Sequence, residues 1–331
     1  MAQARTLRGQ DMTNTSIAKV HHLNCGTISP VAGKLLNKST HFWETSFLVC
    51  HCLLLETSKG LILIDTGLGK LDIMRPEQTI GRIMNNLLRP ALLDVECAII
   101  QIERLGYQRD DVRHIVLSHM DFLQTGGLGD FPNATVHVTK KEFEAANDPQ
   151  TTLEKIRYVN EHWQHNNKWI LHSYSGGSWQ GFNFAPVFPE SEDLLLIDLP
   201  GHSRGHAGIA IKTREGWLLH CGDAVLNMAG IVTDKHYLPA SFISASLECC
   251  RADRLHSEKK LHALYAKQQS SFNQSANTQD RIQFICSLDP DNYYQTRFNM
   301  PQESYGGIEP QLAFPLRQES QDKELAVSSG V

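Results

Sequence analysis

The stretch HIVLSHMDFLQTGGLGDFP, residues 114 to 132, holds a histidine and an aspartate two positions apart at the end of an apolar run. In an extended chain alternate side chains leave on one face, so His119 and Asp121 can approach a single ligand together. Two further residues have the same character. His202 stands in a Gly and Pro loop, LPGHSRGHAG, just beyond a strand-like run, and Asp223 closes another run, WLLHCGDA. A glycine loop brings backbone close to a bound group, and active groups in layered α/β proteins gather at strand ends. Two imidazoles with one or two carboxylates form a donor set suited to zinc, and also to manganese or iron(II), with a position left for water if one carboxylate binds weakly. The chemistry implied is metal activation of water, with Asp121 or Asp223 handling the proton. Each residue taken singly has a plainer reading: a histidine after a strand is commonly structural, and an aspartate in a Gly-Asp-Ala turn is commonly a turn former.

The elements that must position these four are legible as hydrophobic runs. From residue 47, FLVCHCLLLETSKGLILIDTGLG reads as two strands joined by a tight turn at Ser58, Lys59 and Gly60, ending in the small-residue loop Asp65, Thr66, Gly67. QTIGRIMNNLLRP sets Ile80, Ile83, Met84, Leu87 and Leu88 on one helical face before Pro90, and LDVECAIIQIERLGY repeats the pattern before Gly106. Both predict amphipathic helices packed on a sheet, with capping of a pocket as the other role open to the first. Strand RHIVLS, a helix from Gly127, strand ATVHV and helix KKEFEAAND follow, then strands DLLLIDLP and AGIAIKTREGWLLHCGD, the latter a hairpin turned at Glu215 and Gly216. Residues 225 to about 278 read as mostly helical, before a last strand, RIQFICS. This order predicts an α/β protein with mixed sheets and helices outside. The first 19 residues are expected to be flexible, one domain to fill 20–296, and the tail 297–331, rich in Gln, Ser, Pro and charge, to be loose.

Bulk properties narrow the field further. The 331 residues allow one large layered domain or two small ones. With 41% hydrophobic and 20% charged residues and a net charge of -5, nothing recommends a nucleic-acid partner, and a small-molecule substrate is expected. No apolar run has signal-peptide or transmembrane length, which predicts a cytoplasmic protein. The eight cysteines lie mostly inside strand-like runs without zinc-type spacing and are expected to be buried free thiols. His21, His22 and His51 read as structural. Residues 160–182 concentrate histidine and tryptophan, either lining a pocket mouth or packing aromatics within a loop; nothing in the spacing makes His162 or His165 a ligand.

Five stretches, in order, resemble the metallo-β-lactamase superfamily: LILIDTGLG at 61–69, LSHMDFLQTGGL at 117–128, LPGHSRGHAG at 199–208, LLHCGDA at 218–224 and ICSLDP at 285–290. The resemblance covers roughly residues 20 to 295 and points to the lactonase and glyoxalase II type branches, since PGHSRGH is similar to their PGHTPGH loop. It implies a four-layer αβ/βα sandwich with a helical insertion at about 225–278, and one or two ions activating water against esters, thioesters, lactones or lactams. The family's metal loop is H-x-H-x-D-H, sometimes with Asp for the second His. Here it reads His119, Met120, Asp121, Phe122, Leu123, Gln124, and Leu288 stands where a later histidine is expected. By that resemblance the first ion takes His119, Asp121, His202 and a share of Asp223, while Leu123, Gln124 and Leu288 fall on the second ion's ligands. By the same resemblance Asp65 would order the metal loops through hydrogen bonds; His206, four residues after His202, supports the loop through a hydrogen bond or contacts substrate. A single-ion hydrolase is therefore implied, lacking at Leu123 the family's carboxylate beside the attacking water; a general base contributes about 10²-fold to 10⁴-fold. The alternative is a catalytically inactive relative that binds a small molecule or a protein through the same pocket.

Overall fold

The computed structural model describes residues 17–30, 47–165, 168–233, 248–272 and 278–298. Six strands form one sheet in sequence order: β1 (Ile17–Ile28), β2 (Leu48–Thr57), β3 (Gly60–Ile64), β4 (Val112–Val116), β5 (Thr135–Thr139) and β6 (Trp169–His172). The chain then crosses to β7 (Ser178–Trp179), β8 (Phe182–Phe188), β9 (Ser191–Asp198), β10 (Ala207–Thr213), β11 (Gly216–His220) and β12 (Ile282–Ile285), which form a second six-stranded sheet in the reverse order. The pairs from β3 to β6 are parallel, as is β11 with β12, and the other pairs are antiparallel.

Alternation along the strands builds the layers. Leu53, Leu55, Ile62, Ile64 and Val116 of the first sheet meet Leu194, Leu196, Ile209, Ile211 and Ile285 of the second in one apolar cluster between the sheets. Their neighbours Cys52, Leu54, Leu61 and Leu63 face the other way, against the helix Ala98–Arg104. Leu195 and Ile197 likewise face Leu261 and Leu264 of the long helix Arg251–Phe272. A strand segment buried on both faces must be apolar at every position, as β2 nearly is and as residues 194–197 of β9 are. The result is the expected mixed α/β sandwich with helices outside two central sheets.

Two local expectations changed. The helix of residues 78–88 is broken: a π-helical turn, Glu77–Gly81, precedes a short helix, Arg82–Leu88, with Gly81 at φ +81° between them. Ile80, Met84 and Leu88 pack with Leu68 and Phe122, but Ile83 is 71% exposed and Leu87 48%, so two of the five residues of the predicted apolar face meet solvent. Residues 160–182 are more regular than expected, carrying β6 and β7 through the crossover between sheets. Elsewhere β1 starts at Ile17, inside the span read as flexible, while the tail beyond 298 and most of 225–250 lie outside the described residues. All eight cysteines are free; six are buried, Cys249 is exposed and Cys250 is intermediate. Among the described residues no helix is long and apolar enough to cross a membrane.

Three histidines on adjacent strands form a hydrogen-bonded chain. His114 Nδ1 lies 3.0 Å from His137 Nε2, and His137 Nδ1 lies 3.0 Å from His172 Nε2, so neutral rings can link head to tail with one proton each. Burial, together with the neighbouring rings of His172 and His114, takes His137 down to about 3.

Candidate metal centre

His119 follows β4 after Leu117 and Ser118, and Asp121 caps the short helix Phe122–Thr125 in extended conformation, with φ -64° and ψ 155°. Pro200 and Gly201 turn the chain after β9 to present His202, and Gly222, at φ +55°, turns it after β11 to present Asp223. Each sheet thus supplies one histidine and one aspartate. The four converge. Asp121 Oδ2 lies 3.6 Å from His119 Nε2 and 3.0 Å from His202 Nε2; Asp223 Oδ2 lies 3.6 Å and 3.8 Å from the same two atoms. Ligand atoms of His119, His202 and Asp223 all fall within 4.8 Å of one another, a spacing that admits a metal ion.

The surrounding groups aim these side chains. Asp65, held at φ 53°, accepts hydrogen bonds from the Ser118 backbone N–H at 2.8 Å and from Ser118 Oγ at 2.7 Å. With its hydroxyl proton so used, Ser118 Oγ accepts from His119 Nδ1–H at 2.9 Å, leaving Nε2 to face the two carboxylates. That nitrogen is fully buried and has no hydrogen-bond partner among the described residues, which is the arrangement a metal-binding imidazole requires. The donor set therefore fits a divalent ion. Burial pushes the His119 ring down, but Asp121 and Asp223 outweigh it and raise its value well above the ordinary one. Burial raises Asp121 and Asp223 while adjacent cations reverse it: Arg157 leads at Asp121, held well below the carboxylate range, and His119 leads at Asp223, taken down to about 2.

His206 supports the centre without joining it. Its Nδ1–H donates to Leu199 O at 2.8 Å, and its Nε2 accepts from the Asp223 N–H at 3.0 Å, fixing the backbone that carries the carboxylate. At the three altered positions, Leu123 is half-buried and packs against apolar neighbours of the first sheet and of the Leu68 and Phe122 cluster. Gln124 is buried and points its Nε2 at Asp223 Oδ1, 3.4 Å away. Leu288 is buried next to Ser287, whose N–H reaches Gly222 O at 3.4 Å, so it lies beside the turn that carries Asp223.

Several residues that organise the centre carry no motif. Glu142, fully buried, accepts from the Met120 N–H at 2.9 Å and Tyr158 OH at 3.2 Å through Oε1, and from Ser203 Oγ at 2.7 Å and the Gly205 N–H at 3.0 Å through Oε2. One carboxylate thus clamps the His119 loop to the His202 loop. Arg157, 4% exposed, donates from Nη1 to His202 O at 2.7 Å and stands with Nε 3.4 Å from Asp121 Oδ1. His162 bridges Asp72 Oδ1, at 2.8 Å, and Thr125 Oγ1, at 3.0 Å, behind the metal loop. Glu142 reads in sequence as an ordinary first-turn acid of the helix Lys140–Asn147, whose cap is Thr139. Its burial follows from how Gly205 approaches: a Cβ there would meet Glu142 N at 2.1 Å.

Fold and centre together define a layered α/β protein with two histidines and two aspartates converging at the sheet ends. The family model for the metallo-beta-lactamase superfamily matches residues 45–255, and the chain belongs to that superfamily. A probable metallo-hydrolase of Mycobacterium tuberculosis is 44% identical over 209 residues, 62% of either chain. An N-acyl homoserine lactonase of Bacillus thuringiensis is 30% identical over 184 residues, 55% of this chain and 62% of its own. The chain thus spans somewhat under two thirds of the length of these relatives. Among solved structures, an N-acyl homoserine lactone hydrolase with N-hexanoyl-L-homoserine bound at its catalytic metal centre superposes with a TM-score of 0.61 at 22% identity, covering 86% of this chain and 99% of that one.

Proposed function

We propose that this chain is a metal-dependent hydrolase that opens an ester, thioester or lactone using one divalent ion, zinc or, with the same donors, manganese or iron(II), held by His119, Asp121, His202 and Asp223. The observation that carries this reading is the buried, unpartnered Nε2 of His119 facing two carboxylate oxygens at 3.6 Å. The names of the relatives support the substrate class. When bound, the ion would polarise a substrate oxygen and lower the pKa of a water. Within the chain, Ser118 and Asp65 hold the His119 ring, His206 holds Asp223, and Glu142 holds the two loops in register. Asp121 and His202 are 13% and 11% exposed at the side chain, against 0% for His119 and 4% for Asp223, so substrate approaches from their side. The apolar cluster of Leu68, Ile80 and Phe122, with Leu123 at its edge, packs beside the metal loop and backs it with a buried apolar support. Asp121 and Asp223 are the carboxylates on hand to take a proton; burial raises both, while Arg157 at Asp121 and His119 at Asp223 outweigh it and hold them below the ordinary carboxylate range.

One arrangement favours the rival reading of a non-catalytic binding module: the outer oxygens of both carboxylates already face Arg157 and Gln124. Metal analysis separates the two. About one ion per chain, lost in His202→Ala, accompanied by turnover of a panel of aryl esters and lactones, supports the hydrolase. Absence of any ion after metal-rich expression overturns it.

A further inference from the structure

The two carboxylates of the centre are treated alike. Each presents Oδ2 to the His119 and His202 nitrogens, and each has Oδ1 faced by a group of the chain: Gln124 Nε2 donates a hydrogen bond to Asp223 at 3.4 Å, and Arg157 Nε stands 3.4 Å from Asp121 as an ion pair without hydrogen-bond geometry. The two groups differ in charge. Gln124 brings a neutral amide, whereas the buried guanidinium of Arg157 stays cationic under all ordinary conditions. Its place is fixed from two sides, by the helix Thr152–Arg157 that it ends and by its bond to His202 O. A side chain at position 121 therefore meets a permanent positive charge that cannot swing into solvent.

We propose that Arg157 is a positioning residue that makes a carboxylate obligatory at position 121 and holds that carboxylate by Oδ1, so that a single oxygen is turned to the ion. This deepens the one-ion reading above and rests on it for the ion. A histidine at 121, the other residue that the family's motif places there, would press a ring without counter-charge against the guanidinium, and removing one partner of a buried pair leaves an uncompensated charge. Position 121 and position 157 are consequently coupled: the carboxylate is required because the arginine is present.

The experiment is a double-substitution cycle on the full chain, comparing wild type, Asp121→His, Arg157→Gln and the double variant. Zinc dissociation constants are measured by competition with a chelator, and melting temperatures are measured on the metal-free proteins. Asp121→His is expected to weaken zinc binding by about tenfold to a hundredfold, although histidine is itself a good zinc ligand, and to lower the melting temperature. The double variant, freed of the opposed charge, is expected to regain most of both losses. Asp121→His/Arg157→Lys, which keeps the charge but not the planar fork, is expected to stay as weak as Asp121→His alone. Zinc binding by Asp121→His equal to that of wild type, or a double variant no better than that single variant in both readouts, overturns the proposal. If wild type itself takes up no zinc, the one-ion reading falls, and the four melting temperatures still decide whether 121 and 157 are coupled.

Discussion

Replacing Glu142 by glutamine is the sharpest probe of how the centre is held. Wild-type Glu142 accepts four hydrogen bonds, two from backbone N–H groups and two from hydroxyls, within a fully buried pocket. The amide keeps one acceptor oxygen and turns an NH₂ toward the donors of the other pair. A hydroxyl can rotate to accept from it, but the backbone N–H of that pair, either Met120 or Gly205, is left facing a donor. A hydrogen bond to a charged group contributes about 1.5–3 kcal/mol and an orphaned buried donor costs about 1–3 kcal/mol, so a loss of roughly 3–5 kcal/mol is expected. At about 2–4 °C per kcal/mol for a domain of this size, the melting temperature should fall by roughly 6–20 °C. Because the carboxylate joins the His119 loop to the His202 loop, zinc uptake should weaken along with stability. Calorimetry of the metal-free protein, with zinc titration alongside, measures both. A Glu142→Gln protein melting within about 1 °C of wild type would refute the clamp, since that is below the effect of losing even one charged hydrogen bond.

Other predictions concern packing, acid sensitivity and the altered ligands. Gly205→Ala should abolish soluble expression, because its Cβ would sit 2.1 Å from Glu142 N and 2.6 Å from Glu142 Cα; a soluble variant with wild-type melting would contradict this. His137, taken down to about 3 by burial and then its neighbouring rings, binds its proton more readily in the unfolded chain, so its share of stability is present above about 6.5 and is lost as pH falls through about 3. That share amounts to as much as about 5 kcal/mol, about 3 of it lost by pH 4, and urea denaturation of His137→Gln between pH 7 and 4 should show a correspondingly flatter decline than wild type. Leu123→Asp, Gln124→His and Leu288→His combined should recruit a second ion per chain, read by metal analysis against the parent protein. His119→Ala should abolish ion uptake while leaving the fold intact, as circular dichroism would report.

The layers were legible because burial on both faces leaves no room for polar residues: β2, β3, β10 and the centre of β9 appear as nearly unbroken apolar runs, and both hairpins carry their turn residues where the register places them. The convergence of His119, Asp121, His202 and Asp223 was legible because strand ends and glycine loops have fixed meanings. The helix of residues 78–88 was not, since its period of apolar residues counts Ile83 and Leu87, which solvent receives, and misses the break at Gly81. The supports of the centre were equally hidden. Glu142 and Arg157 are a helix acid and a helix base like many others, and only the distant approach of Gly205 and of Asp121 turns them into buried clamps. Such roles arise from long-range contacts, which local sequence does not record.

Because two of the four converging side chains descend from each sheet, whatever they grip becomes a cross-link between the halves of the sandwich. Loading should thus do more than raise affinity locally: it ties the segment around residue 120 to segments some eighty and a hundred positions later, so that neither half can open alone. Resistance to proteases, followed as a function of added zinc, would then report on occupancy.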